Sequence, residues 1–125
     1  MNVKISDILD KRKVVVQVEN NEFVAEWDGD KPEKYKSYAV EMDIDDELIW
    51  ETNICFSSEN SNVIIQKDEE IKIVAKLDYN SEDNLATLKI YDSIVLIDVE
   101  GIEQDISSEW VEVNCDSIRL SNINL

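Results

Sequence analysis

The sequence predicts an all-β protein, a small antiparallel β-barrel of eight or nine short strands with at most a helical turn near the N-terminus. Three observations lead to this prediction. Apolar residues alternate with polar ones in many short runs, which is typical of half-buried strands. Asn, Asp, Ser and Gly separate these runs. No segment shows the longer period of an extended helix. A β-sandwich is the alternative, and residues 1–125 are expected to form a single domain.

The N-terminal quarter is predicted to hold one helical turn and one hairpin. Residues 3–10 suit a helical turn, with Ser6 as its cap and three apolar residues facing inward. The next two runs alternate about Asn20-Asn21, so we expect a two-residue turn there. The alternating residues are Val14, Val16, Val18, Phe23, Ala25 and Trp27.

The middle of the chain continues the strand pattern. Residues 28–36 hold the only proline and are predicted to be a loop. A strand is expected from Tyr38 to Ile44, and after a turn a second from Leu48 to Phe56. Residues 63–66 and 71–77 then predict another hairpin.

Residues 85–101 form the most hydrophobic stretch and are predicted to be the structural centre. The β-branched run that ends in a glycine favours a strand covered on both faces. Asp92-Ser93 interrupts the run and predicts a bulge or bend, as does Asp116-Ser117 in the last strand pair. Sharp bends of this kind suit an OB-like barrel. Residues 102–109 are a connector with room for one helical turn, and the final apolar positions are Ile118, Leu120, Ile123 and Leu125.

Charge is the strongest functional signal. The net charge is −17, from 29 acidic and 12 basic residues. Residues 41–51 contain six acidic residues and no basic one, and eight acidic residues lie between Lys89 and Arg119, again without a base. Such a field repels phosphate backbones, so we expect no direct nucleic-acid binding. It favours fast capture of a basic protein partner, whereas a role in solubility alone is the simpler reading.

Several chemistries have no residues to support them. The chain lacks histidine, which removes the commonest general base and the commonest metal ligand. Two cysteines and two glycines are too few for a zinc site or a phosphate-binding loop. Carboxylate pairs are abundant, but none occupies a distinctive loop. We therefore predict a protein that is not an enzyme and that uses no cofactor and no metal.

The location follows from segments that the sequence lacks. No apolar run approaches the roughly 20 residues of a membrane helix, and the first residues do not have the pattern of a signal peptide. We expect a cytoplasmic protein without membrane contact. Cys55 and Cys115 are accordingly predicted to be two buried thiols that form no disulfide.

In overall character, and across its whole length, the chain resembles the immunity proteins of bacterial toxin–immunity systems. No single motif carries this resemblance. Those proteins are commonly small, acidic and single-domain, and each blocks a cognate toxin, often a basic nuclease. The resemblance implies that this chain neutralises a basic protein partner, either a toxin or a nuclease.

Either acidic segment is a candidate for the partner-binding site. Its carboxylates would meet lysines and arginines of the partner, and a tryptophan would anchor the contact. The first set is Glu41, Asp43, Asp45, Asp46, Glu47, Trp50 and Glu51. The second set is Glu103, Asp105, Glu109, Trp110 and Glu112.

Two other functions remain open. The carboxylates could mimic the phosphates of a nucleic acid and so inhibit a DNA- or RNA-binding defence protein, because alternate residues of a strand lie about 6.5–7 Å apart. Alternatively, the chain is an OB-like module that binds a small molecule, a glycan or another subunit. That module would need a concave, aromatic-lined face with few acids around it.

Overall fold

The structure, a computed structural model, describes residues 1–123. These residues form thirteen β-strands and no helix. The strands are β1 (Asn2–Ile8), β2 (Lys13–Val18), β3 (Asn21–Asp28), β4 (Ser37–Asp43), β5 (Leu48–Ile49), β6 (Ile54–Phe56), β7 (Val63–Lys67), β8 (Glu70–Asn80), β9 (Leu85–Ile90), β10 (Ser93–Ile97), β11 (Val99–Glu100), β12 (Ile106–Cys115) and β13 (Arg119–Asn122). The predicted position of Leu125 at the end of the last strand lies outside the described residues.

Five strands close into a barrel in the order β1-β2-β3-β13-β4. β1 pairs antiparallel with both β2 and β4, while β13 runs antiparallel to β4 and parallel to β3. With β13 counted as the fifth strand, this is the order of an OB-like barrel. The prediction of a small all-β barrel is confirmed.

A six-stranded sheet is inserted between β4 and β13, the fourth and fifth strands of the barrel. Its main order is β10-β9-β8-β12-β6, and β7 pairs with the first part of β8. β8 is the longest strand and lies at the centre of this sheet. One cluster of buried side chains contains residues of both the barrel and the sheet, among them Ile5, Val16, Phe23, Ile73, Leu88 and Val113.

The predicted helical turn near the N-terminus is wrong. Residues 2–8 form strand β1, with Val3 and Ile5 buried in the barrel. The pairing of β1 with β2 shifts between Ile5 and Asp7, which leaves Ser6 as a bulge. A bulge adds one residue to the strand, so the apolar spacing after Ile5 imitates that of a helix.

The two local hairpins are confirmed. β2 and β3 pair with Val16 opposite Phe23, although the turn is Glu19-Asn20, one residue earlier than predicted. β7 and β8 pair with Ile64 opposite Ile73.

The predicted strand from Leu48 to Phe56 is wrong, because two separate strands occupy it. β5 ends at Ile49, and β6 begins at Ile54. Glu51 lies between them with a φ of 67°, a left-handed conformation that interrupts a strand. The connector after Gly101 contains no helix, and β12 begins within it at Ile106.

The prediction that residues 85–101 form the covered centre is also wrong. β9 and β10 are a hairpin that turns at Tyr91-Asp92, and β10 lies at the end of the sheet. Val95 and Ile97 face the core, whereas Ile94 and Leu96 are 72% and 65% exposed. The apolar run therefore includes an end strand of the sheet, β10, which has one face buried in the core and the other face exposed to solvent.

Candidate functional site

The first acidic segment is divided by the fold. Two of its members, Asp43 and Asp45, lie around Arg119 at the junction of β3, β4 and β13, where Arg119 lies opposite Asp43. The guanidinium contacts Asp45 (Nε–Oδ2 3.0 Å), Asp43 (Nη2–Oδ2 3.6 Å) and Asp28 (Nη1–Oδ2 3.8 Å). We call this group, Asp28, Asp43, Asp45 and Arg119, the carboxylate seam. Hydrogen bonds from Arg119 lower the pKa of Asp45, so this carboxylate is already used inside the molecule.

Asp46 has a structural role as well. Its Oδ2 accepts a hydrogen bond from the backbone N–H of Asp116 at 2.8 Å, and its Oδ1 accepts one from that of Ser117 at 3.4 Å. These two residues turn the chain from β12 in the sheet to β13 in the barrel. Asp46 therefore fixes the position at which the sheet returns to the barrel.

The later members of the first segment meet the second segment. β5 and β11 run parallel, with Leu48 opposite Val99 and Ile49 opposite Glu100. The backbone N–H of Trp50 donates to the carbonyl of Glu100 at 2.8 Å. Two acidic segments about fifty residues apart in sequence are thus joined at one place.

The loop between β5 and β6 is held by Asn53. Its Oδ1 accepts from the N–H of Ile49 at 2.7 Å, and its Nδ2 donates to the carbonyl of Glu47 at 2.8 Å. The backbone N–H of Glu51 donates to the carbonyl of Ile54 at 2.7 Å. The backbone of this acidic loop is therefore held by hydrogen bonds on both sides of Trp50.

Aromatic side chains lie among these acids. Trp50 is half-buried and packs edge to face on Phe56, with the ring centroids 5.0 Å apart. Gly101, at a φ of 91°, lies beside Trp50, where an added Cβ would be 3.7 Å from the Cβ of Trp50. Phe56 is 49% exposed and, with Trp110, lines a cavity of about 480 Å³ that also includes Glu109.

We call this surface the acidic–aromatic corner. It comprises Glu47, Ile49, Trp50, Glu51, Phe56, Glu100, Glu103, Glu109 and Trp110. Glu103 is included because it lies on the connector between Gly101, which is beside Trp50, and Gln104, which lines the same cavity. Its five carboxylates are exposed or half-buried, and among the described residues none has a basic side chain within ion-pair distance. No lysine or arginine occurs in residues 37–66 or 90–118, from which the corner is built, but Nζ of Lys76 on β8 lies 5.3 Å from the centroid of the Trp110 ring.

The remaining predicted residues supply no free carboxylate to the corner. Asp105 also lines the 480 Å³ cavity, but its Oδ1 accepts from the N–H of Ser81 at 2.8 Å, a bond that lowers the pKa of Asp105. Glu112 pairs with Lys72 at 3.5 Å. Glu41 is exposed on β4, where it lies opposite Ser121.

Sequence reasoning missed Phe56, Ile49 and Glu100. Phe56 and Ile49 are apolar residues of short strands and carry no signal of exposure. Glu100 belongs to a base-free acidic segment, but only its pairing with Ile49 places it beside Trp50. Cys55, predicted to be buried, is exposed on β6, whereas Cys115 is buried as expected and neither is in a disulfide.

A second cavity, of about 830 Å³, lies beside the β1–β2 connection. Lys11, Arg12, Lys13 and Arg119 line it together with Asp10, Glu26 and Asp28. Its aromatic residue, Trp27, is only 4% exposed and donates through Nε1 to the carbonyl of Asp30. The cavity thus has mixed charge and presents almost no aromatic surface.

No family model, curated protein or solved structure matches this chain. Within residues 1–123, no group of three or more Cys, Asp and Glu side chains is arranged to hold a metal ion. The same residues include no helix long and apolar enough to span a membrane.

Proposed function

We propose that this protein binds and neutralises a basic protein without catalysing a reaction, and that it serves as an immunity protein against a bacterial toxin in the cytoplasm. The observation that carries the proposal is the junction of two base-free acidic segments around Trp50 and Phe56. A partly exposed aromatic pair ringed by carboxylates is the arrangement of a binding hot spot for lysine- and arginine-rich surfaces.

The corner supports rapid and specific association through different residues. The carboxylates attract a basic partner at long range and so raise the association rate. Phe56 and Ile49 supply apolar surface that is buried on contact, which slows dissociation. The hydrogen bonds of Asn53 hold the loop before the partner arrives, so less conformational entropy is lost on binding.

The two other functions have less support. A phosphate mimic needs a row of free carboxylates along a strand, but two members of the row Glu41, Asp43 and Asp45 are paired with Arg119. A small-molecule module needs a concave aromatic face with few acids, and the 830 Å³ cavity has neither property. The experiment below gives a different result for each of these two functions.

The test compares two variants of equal charge. Glu47→Lys, Glu51→Lys and Glu103→Lys change the corner, while Glu22→Lys, Glu69→Lys and Glu82→Lys change exposed carboxylates elsewhere. Each set moves the net charge from −17 to −11. The native protein and both variants are used to capture proteins from a lysate of the source organism at about 150 mM salt, where weak surface attraction is screened.

We expect the native protein and the control variant to retain one basic protein, which the corner variant loses. Expression of that protein alone should be toxic to cells, and co-expression of the native chain should restore growth. Loss of capture by both variants would show that only total charge matters. A captured nucleic-acid-binding defence protein that is not a toxin would favour the phosphate mimic, and no specific capture would favour the ligand module.

A further inference from the structure

The cavity lined by Phe56 and Trp110 lies where one strand of the sheet ends and its neighbour continues. β6 ends at Phe56, and it pairs with residues 111–113 of β12. The backbone N–H of Ser57 donates to the carbonyl of Trp110 at 2.9 Å, which holds the chain against β12 just after the end of β6. The rest of the lining comes from β12 and the connector before it, namely Gln104, Asp105, Ile106, Ser107 and Glu109. The cavity, of about 480 Å³, is therefore an opening at the edge of the sheet.

Two aromatic rings supply most of its apolar lining. Phe56 is 49% exposed, and its ring packs edge to face on Trp50 with the centroids 5.0 Å apart. Trp110 is half-buried. The face of an aromatic ring attracts cations, and it does so most strongly in tryptophan. The lining thus favours a cationic group that also has apolar surface.

Trp110 already has a cation on one side. Nζ of Lys76 lies 5.3 Å from the centroid of the Trp110 ring, within the range of a cation–π contact. Lys76 is the residue opposite Trp110 on β8, whereas β6 pairs with the other edge of β12. Among the described residues that line the cavity, none is basic. Lys76 therefore contacts the ring from the β8 side and leaves the cavity itself without a cation.

Glu109 is the free carboxylate of this cavity. It is exposed and, within residues 1–123, forms no ion pair. Asp105 also lines the cavity, but its Oδ1 accepts from the N–H of Ser81. Glu109 is thus the lining carboxylate that is available to a ligand.

A bulge in β12 fixes the backbone beside Glu109. The register with β8 shifts between Ile106 and Glu109, and Ser108 has a φ of 49°. The N–H of Ser108 donates to Oδ1 of Asp78 at 2.9 Å, so β8 holds this left-handed residue in place. A bulge changes the direction of the side chains that follow it. The position of Glu109 is therefore set by the fold before a ligand binds.

Arginine fits these features better than lysine does. A guanidinium group is planar and weakly hydrated, so it can lie against an aromatic ring while its N–H groups bind a carboxylate. The lysine ammonium group is compact and strongly hydrated, and it loses more hydration in such a place. Arginine is also enriched among the residues that dominate protein interfaces.

We propose that this cavity receives an arginine side chain of the basic partner, with the guanidinium group against the aromatic lining and hydrogen-bonded to Glu109. This inference rests on the proposed function, and it narrows the chemistry of the partner from a basic surface in general to an exposed arginine. The other carboxylates of the corner act on the partner at longer range.

The probe is N-acetyl-arginine methylamide, added to the native protein labelled with ¹⁵N for NMR spectroscopy. The lysine derivative has the same charge, and the citrulline derivative has nearly the same shape without the charge. The chain has three tryptophans, so three indole N–H signals are expected. Trp110→Phe identifies the signal of Trp110. Trp27 is buried and bonded to the carbonyl of Asp30, so its signal is the internal control.

We expect the arginine derivative to shift the Trp110 signal in a saturable way at millimolar concentration and to leave the Trp27 signal unchanged. The lysine derivative should bind at least about threefold more weakly, and citrulline more weakly still. Glu109→Gln should weaken arginine binding at least about threefold, because it removes the carboxylate. Glu51→Gln is the matched control, since it removes an exposed charge of the corner outside the cavity lining, and it should change binding by less than about twofold.

Three results would overturn the inference. The first is no saturable shift at Trp110 in the native protein. The second is equal binding of the arginine and lysine derivatives. The third is an equal loss of binding in Glu109→Gln and Glu51→Gln, which would assign the effect to total charge.

The capture experiment separates this inference from the proposed function. Specific capture of a basic protein without arginine binding in the cavity would leave the proposed function and reject the arginine site. Arginine binding without capture of a basic protein would reject the proposed function and, with it, the assignment of the arginine to a toxin.

Discussion

The carboxylate seam and the acidic–aromatic corner are built from one acidic segment, yet they use their charges differently. Asp43 and Asp45 lie within 4 Å of Arg119, and Asp46 accepts two backbone N–H groups. Glu47 and Glu51, only a few residues later, have no such partner among the described residues. The side of the fold on which a carboxylate emerges decides whether it stabilises the protein or remains free for another molecule.

This difference divides the net charge of −17 into two parts. Carboxylates with a cation or a backbone donor nearby contribute to folding, and their removal should destabilise the native state. Unpartnered carboxylates repel one another, so their removal should cost little or even stabilise the fold. Each prediction below compares one or more residues of the seam or of its neighbouring turn with matched residues elsewhere.

The largest effect is expected from the adjacent pair Asp46 and Glu47. Asp46→Ala removes two hydrogen bonds to the turn before β13 and should lower the free energy of unfolding by about 1–2 kcal/mol. Glu47→Ala should change it by no more than about 0.5 kcal/mol, as at most surface positions. Urea unfolding followed by tryptophan fluorescence measures both. Equal effects at the two positions would remove the distinction between paired and free acids.

A smaller, pH-dependent effect is expected at Arg119. The hydrogen bond from Arg119 holds the pKa of Asp45 below its ordinary value of 3.8. A carboxyl whose pKa is lowered by folding stabilises the native state above the unfolded pKa, and that contribution disappears as the pH falls through the folded pKa. Arg119→Ala should therefore lower the urea midpoint at pH 7, and the difference should close in acid once Asp45 is protonated.

Arg12 is the control for this experiment, because it is the only other arginine and is exposed without an ion pair among the described residues. Arg12→Ala should leave the midpoint close to that of the native protein across the same pH range. A loss at Arg119 that persists unchanged in acid would show that the seam acts through packing and not through charge.

The fold was predictable where the decisive contacts are local. The β2–β3 and β7–β8 hairpins follow from alternation on either side of a short turn, and both are present. The β5–β11 pair contains only two residues from each strand and joins distant segments, so no periodic pattern in the sequence predicts it. The insertion of a whole sheet between β4 and β13 is non-local in the same way.

Hydrophobicity alone also misassigned the run that contains β10, residues 85–101. A β-branched apolar sequence favours a strand covered on both faces, but it is equally compatible with an edge strand that leaves Ile94 and Leu96 open. The candidate site shows the same limit. The acidic segments are visible in the sequence, whereas the pairing of Asp45 with Arg119, 74 residues away, is not.

A third prediction compares equal changes in charge at the corner and the seam. Glu47→Gln, Glu51→Gln and Glu103→Gln together should leave the free energy of unfolding within about 0.5 kcal/mol of the native value or raise it, because repulsion is relieved. Asp28→Asn, Asp43→Asn and Asp45→Asn together should lower it, because Arg119 loses its charged partners. Thermal unfolding of both triple variants at low and high salt measures these changes in stability. A comparable loss of stability in the two variants would show that carboxylates of the seam and of the corner do not differ in their contribution to folding.

The smallest effect is expected in the reactivity of the two cysteines. Cys55 lies on β6 near the corner, and Cys115 lies at the end of β12 next to the turn before β13. Cys55 is exposed on β6 beside Phe56, while burial raises the pKa of the Cys115 thiol to about 12 from an ordinary value of 9.0. Since the thiolate is the reactive form, a thiol reagent at pH 8 should label Cys55 promptly and Cys115 only when the protein opens.

Asp46→Ala should speed the labelling of Cys115, which immediately precedes the turn that Asp46 holds, and should leave that of Cys55 unchanged. Glu47→Ala should affect neither rate. Mass spectrometry of the labelled protein separates the two sites. If Cys115 were labelled as fast as Cys55 in the native protein, the turn before β13 would open freely, and Asp46 would not be holding the sheet to the barrel.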